Sequence, residues 1–518
     1  VAFPLISATL VLSALGAGLV VFAGRTQKIA KWMALVASLV PLVLSAYALA
    51  AIMGVGGLTA PAGTACADGS ASGAGYSFHE CHDWIPSLGI HVILGLDGIS
   101  APMFFLTALL VTLGIVFAWD ESKAPNRFYG MLLLINVAVM GVFAALDLFL
   151  FYVFWELTLI PMAFLIGIWG GPRRRYAAIK FFAYTFVASL IMLLGFAALY
   201  FQTPLVNGHH SFGFEAIQAA GAGMGLALQR VVFLALFIGF ATKFPVVPLH
   251  TWLPDAHVEA PTSGSVILAG VLLKLGAYGL IRIALPFTPL GAKWAVPLMF
   301  VIAVLSMVYA AIICLAQRDY KRLVAYSSIG TMGLVLLGIA ASVYTGNPLG
   351  LVGANFMMLA HGFISPALFM LCGILAHNLG TRDIPLMGGL ADKLPRTSFW
   401  IVVFSMAGLG LPGLAAFVAE FLVYSGTWDA FGWLVFIPLL YLIVSAAYYL
   451  WAAQRALFGP FVERPEVDYH HAYDTHWFEL TSLVVLFLFT LAYGVWPKFL
   501  TEILDAPVRS ILAAVGGA

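Results

Sequence analysis

The sequence predicts an all-α integral membrane protein of about fourteen transmembrane helices, and three observations carry that expectation. Of its 518 residues 62% are hydrophobic and only 9% are charged, with a mean hydropathy of +1.02. A water-soluble domain carries about a quarter of its residues as charges. Uncharged runs of about twenty residues, rich in Leu, Ala, Gly and Phe, recur from end to end, which is the length a helix needs to cross hydrocarbon. A barrel strand would instead alternate weakly over about ten residues.

The runs lie near 4–23, 32–54, 98–119, 128–146, 148–169, 177–201, 228–249, 262–284, 294–316, 323–345, 350–377, 398–426, 431–453 and 477–497. No basic segment precedes the first, and Arg25, Lys28 and Lys31 follow it, so it reads as a retained span rather than a signal peptide. An even count puts both termini on one side. Positive residues mark the inside of a membrane protein, and they supply a check. Loops after odd-numbered spans, such as the one with Arg173, Arg174 and Arg175, hold 17 lysines and arginines, against 5 on the other side. Both termini are therefore expected outside, in a bacterial inner membrane.

The outside loop at about 55–96 is rich in Gly, Ala and Ser and reads as flexible up to Trp84-Ile85-Pro86. Cys66 and Cys81 share it, which suggests a disulfide on an oxidising face, with a reduced pair as the alternative. His79 and His82 beside Cys81, and the inside group His470, His471 and His476, read as solvated loop residues rather than metal ligands. A formal charge of +1 offers nothing to nucleic acid. There is no Gly-rich phosphate loop, CxxC or CxxCH string, so no nucleotide, iron–sulfur cluster or c-type haem has a home here.

An ionisable side chain at bilayer depth costs about 2.5–3.5 kcal/mol on insertion scales. Four stand in apolar runs: Glu156 in FYVFWELTLIPM, Lys243 in LFIGFATKFPVVPLH, Lys274 in AGVLLKLGAYGL and Glu420 in GLAAFVAEFLVY. His361, in FMMLAHGFISPALF, is a fifth group able to carry a proton near neutral pH. One such residue alone is as readily a helix-to-helix contact. Five over five spans form a chain of titratable groups, the means by which a membrane protein moves protons. Pro245 and Pro248 follow Lys243, and Gly408, Gly410, Pro412 and Gly413 precede Glu420. One break beside a buried charge in each half of the chain fits an inverted-repeat transporter. A transporter of an organic solute would need a polar, substrate-sized set of side chains at the breaks, and a scaffold would need no buried charge.

The strings LGLDGIS, FYVFWELTLIPM, KFPVVPLHTWLPDAHVEAP, GVLLKLGAYGLIR, QRDYKRLVAYSSIG and LAHGFISPALF closely resemble those of the antiporter-like subunits of complex I, NADH:quinone oxidoreductase, across nearly the whole chain. Glu420, where the L and N subunits usually carry lysine, points to the M type. The resemblance implies three leading helices with the outside loop over 1–127, and inverted five-helix repeats over 128–285 and 294–455, each a proton half-channel. An inside loop, a last span and an outside tail would follow over 456–518. It also implies that Glu156 and Lys243 are a first-channel pair, Lys274 a central relay and Glu420 an exit group, with His250 and His361 near that axis. FMN, iron–sulfur clusters and quinone would belong to partner subunits, chiefly reached through the two other antiporter-like subunits, and none to this chain. The alternatives are a subunit of a multisubunit sodium/proton antiporter, or of a ferredoxin-, F420-, plastoquinone- or hydrogenase-linked relative.

Overall fold

The computed structural model describes residues 3–61, 66, 72–205, 208–461, 463–465, 467, 469 and 473–516. His470 and His471 lie outside the described residues. Among those described, thirteen helical stretches are long and apolar enough to cross a membrane. One of them holds two helices, Ala415–Phe431 and Phe436–Leu457, that part at Gly432, where φ is 54°. Fourteen crossings result.

Because lipid is as apolar as leucine, packing rather than hydrophobicity decides which spans go inside. Ser100–Phe117, Pro125–Ala144, Thr262–Phe287, Tyr320–Thr345 and Leu349–Leu379 are almost wholly enclosed, and the others turn broad apolar faces outward. Small residues allow the close approach. At the contact of the tenth and eleventh spans, a Cβ on Gly338 would stand 2.5 Å from the Gly350 carbonyl. Thr262–Phe287, the eighth span, sits at the centre and contains two π-helical turns, Leu268–Leu272 and Leu280–Ala284, one on either side of Lys274.

The loop over 55–96 departs from its flexible reading. Two antiparallel strands, β1 (Ser77–Ile85) and β2 (Ile90–Leu96), pair with Cys81 opposite Ile93, and a disulfide joins Cys66 to Cys81 across a Cα separation of 5.5 Å. The Gly, Ala and Ser of the first half of the loop mask the β-branched and apolar residues of IHVILGL that build the second strand. His79 is buried in β1 rather than solvated. His476 is also engaged: its backbone N–H bonds Glu479 Oε2 at 2.8 Å in a capping box at the start of the last span. Cys314 and Cys372 are buried thiols within spans.

The hairpin is tied to helix ends by carboxylates. Glu80 accepts the Ile6 and Ser7 backbone N–H groups at 2.7 and 3.0 Å, a negative charge on the positive end of the first span. Asp147 caps the fifth span through Phe149 and Leu150 at 2.9 and 3.0 Å and accepts the His91 N–H of β2 at 3.3 Å. The segment after the last span is itself a helix, Lys498–Gly516, that buries Leu500, Leu504, Val508, Ile511 and Leu512 on one face. It lies against the end of the eighth span and against the eleventh.

Burial pushes the Asp147 carboxyl up to about 6, against three backbone N–H bonds that pull it down. A carboxyl raised in the folded state stabilises fully below its unfolded value, and that contribution is lost as pH rises through the folded one. Asp147→Asn keeps the cap without the charge. In detergent its melting temperature should gain on that of the parent between about pH 4 and pH 6 and hold its lead above. A difference that stays constant from pH 4 to pH 7 contradicts this assignment.

Candidate functional site

Two spans are interrupted along their length, where freed backbone groups must find partners inside the protein. In the seventh, helix Leu226–Lys243 stops at Lys243 because Pro245 and Pro248 cannot donate the next N–H bonds. A short helix, Trp252–Glu259, resumes beyond. The gap is stitched by Val247 N–H to Ser306 Oγ at 2.9 Å and by the Trp252 indole N–H to the Thr242 carbonyl at 2.9 Å. In the twelfth, Pro395–Gly408 gives way to Ala415–Phe431 through Gly410 and Gly413, at φ 80° and 94°. Only glycine adopts such angles without strain.

Beside the first break, Lys243 is buried, donates to Thr158 Oγ1 at 2.7 Å and lies 4.9 Å over the Trp155 ring. Glu156, one residue from Trp155, accepts the Ser189 hydroxyl. No ion pair joins Glu156 to Lys243 among the described residues; a hydroxyl holds each charge instead. The break also brings the seventh span onto the eighth. Gly276 allows this, since a Cβ there would stand 2.5 Å from Phe244 Cβ.

Lys274 is fully buried, donates to the Ala269 carbonyl within the first π-helical turn, and lies 2.8 Å from His361 Nδ1. With the ammonium donating to Nδ1, the imidazole carries its hydrogen on Nε2, which reaches Ser328 Oγ at 3.0 Å. Ser328 in turn meets Ser365 Oγ at 3.2 Å. Lysine, imidazole and two hydroxyls thus form one connected path across the eighth, tenth and eleventh spans. His250 stands apart from it: it packs edge-on against Tyr309 at 5.1 Å, and its Nδ1 has no partner among the described residues.

Several groups at the site have no signal in the sequence. Thr158, Ser189, Ser328 and Ser365 look like ordinary residues of apolar runs. His257, fully buried and stacked 4.3 Å on Phe369, lacks a partner at either ring nitrogen among the described residues. The short helix after the first break is clamped by residues of neighbouring loops and helix starts. Lys180 meets Asp255 at 2.6 Å, Arg173 meets Glu259 at 3.6 Å, and Lys321 donates to the Ala260 carbonyl at 2.6 Å.

Glu420 is buried beneath the second break. A Cβ at Gly410 would overlap its Oε2, whereas one at Gly413 meets nothing. Both substitutions strain a left-handed residue by about 1–2 kcal/mol, but only Gly410→Ala must move the carboxylate. Labelling of Glu420 by an apolar carbodiimide should change by about threefold or more in Gly410→Ala and stay near the parental rate in Gly413→Ala. Equal rates in the two variants would show that Gly410 does not place the carboxylate.

A family model described as "NADH:quinone oxidoreductase/Mrp antiporter, TM" matches residues 145–445. The F(420)H(2) dehydrogenase subunit M of Methanosarcina mazei is 40% identical over 450 residues, covering 86% of this chain and 89% of that protein. The NADH-quinone oxidoreductase subunit M of Rhodobacter capsulatus is 38% identical over 488 residues, covering 93% and 90%. A chain in the structure of respiratory complex I from Thermus thermophilus with bound NADH superposes with a TM-score of 0.85 at 30% identity, over 99% of this chain and 100% of that one. The chain belongs to the family of NADH:quinone oxidoreductase and Mrp antiporter transmembrane subunits, among relatives of the M type.

Proposed function

We propose that this chain is a proton-translocating, antiporter-like subunit of a complex I-type quinone oxidoreductase, coupling electron transfer in partner subunits to proton movement. The observation that carries the reading is the set Glu156, Lys243, Lys274, His361 and Glu420 within apolar spans, with a hydroxyl bonded to each of Glu156, Lys243 and His361 and a broken span beside Lys243 and Glu420. Glu156, Lys243, Lys274 and His361 each have a hydrogen-bonded neighbour that can give or take a proton. Lysine at two of the four charged positions favours protons over sodium, since an ammonium cannot coordinate a cation.

The proposed order runs from Glu156 to Lys243, then Lys274 with His361, then Glu420, with His250 flanking the first break. A carboxylate close to an ammonium favours the charged form of both, and separation favours the neutral forms. Movement of Glu156 between Ser189 and Lys243 would therefore raise and lower the grip of Lys243 on its proton. Residues 128–285 and 294–455 are proposed as the two inverted repeats, each a half-channel, flanked by 1–127 and 456–518. The other antiporter-like subunits are the proposed neighbours, and FMN, iron–sulfur clusters and quinone are assigned to partners. A bacterial inner membrane is proposed as the location, with both termini outside; an alkaline phosphatase fused after Arg175 should then be inactive, and activity there would refute the topology.

The relative at 40% identity favours a second reading of the electron donor, in which F(420)H(2) takes the place of NADH. The task of this chain is the same in both, because the donor would bind elsewhere in the assembly.

Lys243→Ala removes the carrier and Glu156→Gln removes the negative partner while keeping its hydrogen bonding. Both variants should leave the complex assembled on native gels and lower quinone reduction and proton release together by about tenfold or more. If the charges served folding instead, removing them would lose hydrogen bonds to charged groups worth about 1.5–3 kcal/mol each and the complex would be lost. An assembled Lys243→Ala complex that releases protons at the parental rate would refute the proposal.

A further inference from the structure

The hydrogen-bonded path from Lys274 through His361 to Ser328 has a second branch besides Ser365. On the tenth span Ser328 is followed on one side by Ser327, and both hydroxyls donate to a single acceptor, the Val324 carbonyl, at 3.2 and 2.8 Å. The two side chains thus converge on one oxygen, Ser328 from the side of His361 and Ser327 from the side of the thirteenth span. Ser327 Oγ in turn accepts the Tyr449 hydroxyl at 3.0 Å. Tyr449 belongs to the thirteenth span, Phe436–Leu457, and is buried with both serines. Imidazole, two serines and a phenol therefore lead from the Lys274 ammonium to the thirteenth span.

The far end of this branch is the break in the twelfth span. A Cβ at Gly408 would stand 2.8 Å from Tyr449 Cζ and 2.9 Å from its Oη, while a Cβ at Gly410 would meet the Glu420 carboxylate. Phenol and carboxylate thus border one break at backbone positions two residues apart. Gly408 ends the helix Pro395–Gly408 without a left-handed angle, so what its missing side chain supplies is room for the phenol. Tyr448 offers a direct comparison. It is the same residue type, equally buried, with its ring centroid 4.7 Å from that of Tyr449, yet its hydroxyl has no hydrogen-bond partner among the described residues.

We infer that Ser327 and Tyr449 are the relay by which His361 hands protons to the broken twelfth span. This rests on the proton-translocating reading and supplies the residues between Lys274 and Glu420. In one passage the Lys274 ammonium gives a proton to His361 Nδ1, and the Nε2 hydrogen moves to Ser328 Oγ. The Ser328 hydrogen turns from the Val324 carbonyl to Ser327 Oγ, and the Ser327 hydrogen turns to Tyr449 Oη. The Tyr449 hydrogen then crosses the break through water to the Glu420 carboxylate. The imidazole and each hydroxyl end with as many hydrogens as they began with, while Lys274 becomes a neutral amine and Glu420 a neutral carboxyl. A hydroxyl is donor and acceptor at once, and its hydrogen rotates to suit its neighbours, so no serine or tyrosine needs to ionise. In the observed arrangement both serine hydrogens rest on Val324 and the Tyr449 hydrogen on Ser327. The relay stands closed until all three turn.

The test uses the whole complex in sealed vesicles. Tyr449→Phe keeps the ring against Gly408 and removes its hydroxyl, Ser327→Ala removes the oxygen before it, and Tyr448→Phe removes the neighbouring hydroxyl that has no partner. Tyr449→Phe and Ser327→Ala should each assemble and release protons about tenfold more slowly than the parent. The double variant should be no slower than the slower single, because both changes cut one path. In the slowed variants the ratio of release rates in ordinary and heavy water should rise above the parental ratio, and Tyr448→Phe should stay near the parental rate. Parental release in an assembled Tyr449→Phe or Ser327→Ala complex would overturn the relay. Equal losses in Tyr448→Phe and Tyr449→Phe, or failure of both Tyr449→Phe and Ser327→Ala to assemble, would also overturn it by making the role one of packing. Lys243→Ala measured alongside separates the two ideas. If it is blocked while Tyr449→Phe is not, the relay alone falls; if it is not blocked, the translocation reading falls.

Discussion

In hydrocarbon no water is at hand, so every peptide N–H and C=O must bond within the protein, and a helix can be interrupted only where the protein itself replaces the lost partners. The rest of this structure depends on that constraint. The seventh span breaks at Lys243 because Ser306 and the Trp252 indole take up the freed groups. The break sets a lysine at the end of a half-helix, over Trp155 and within reach of Thr158. It also lets the seventh span close onto Gly276 of the eighth. Around this junction the enclosed spans provide a dry interior in which a few hydroxyls, rather than bulk water, solvate the charges.

Such an interior makes protonation state sensitive to small movements. A charge held by one hydroxyl has little solvation to lose, so the approach of an opposite charge changes its proton affinity sharply. Glu156 on Ser189 and Lys243 on Thr158 are separate but sit around the same Trp155 turn. Lys274 and His361 show the opposite arrangement, already in contact, with Ser328 and Ser365 extending the path away from the lysine. Arg173, Lys180 and Lys321 tie down the short helix Trp252–Glu259 beyond the break.

Much of this was legible in the residues, because lipid imposes strong rules. Twenty-residue runs, the bias of basic residues to one side, and charges where none belongs place the crossings and pick out Glu156, Lys243, Lys274, Glu420 and His361. Cys66 and Cys81 are legible as a pair because they share one loop. The hairpin was hidden, since the small residues ahead of it dominate the loop's composition. Contacts between distant segments were hidden too. Asp97 and Arg282 are 185 positions apart, and each reads alone as a residue at a span end. The hydroxyl partners were invisible for a different reason: serine and threonine in a span ordinarily bond their own helix, and only the fold reveals which of them turn to a neighbour.

The central claim is that the buried charges carry protons and are not needed to hold the helices together. The most direct measurement is a simultaneous record of quinone reduction and outward proton release in sealed vesicles holding the complex with Lys274→Ala, the group that joins the two halves through His361. The account predicts an assembled complex in which both rates fall together, because electron flow stalls when the relay is missing. Parental rates for both, in a fully assembled complex, would contradict it.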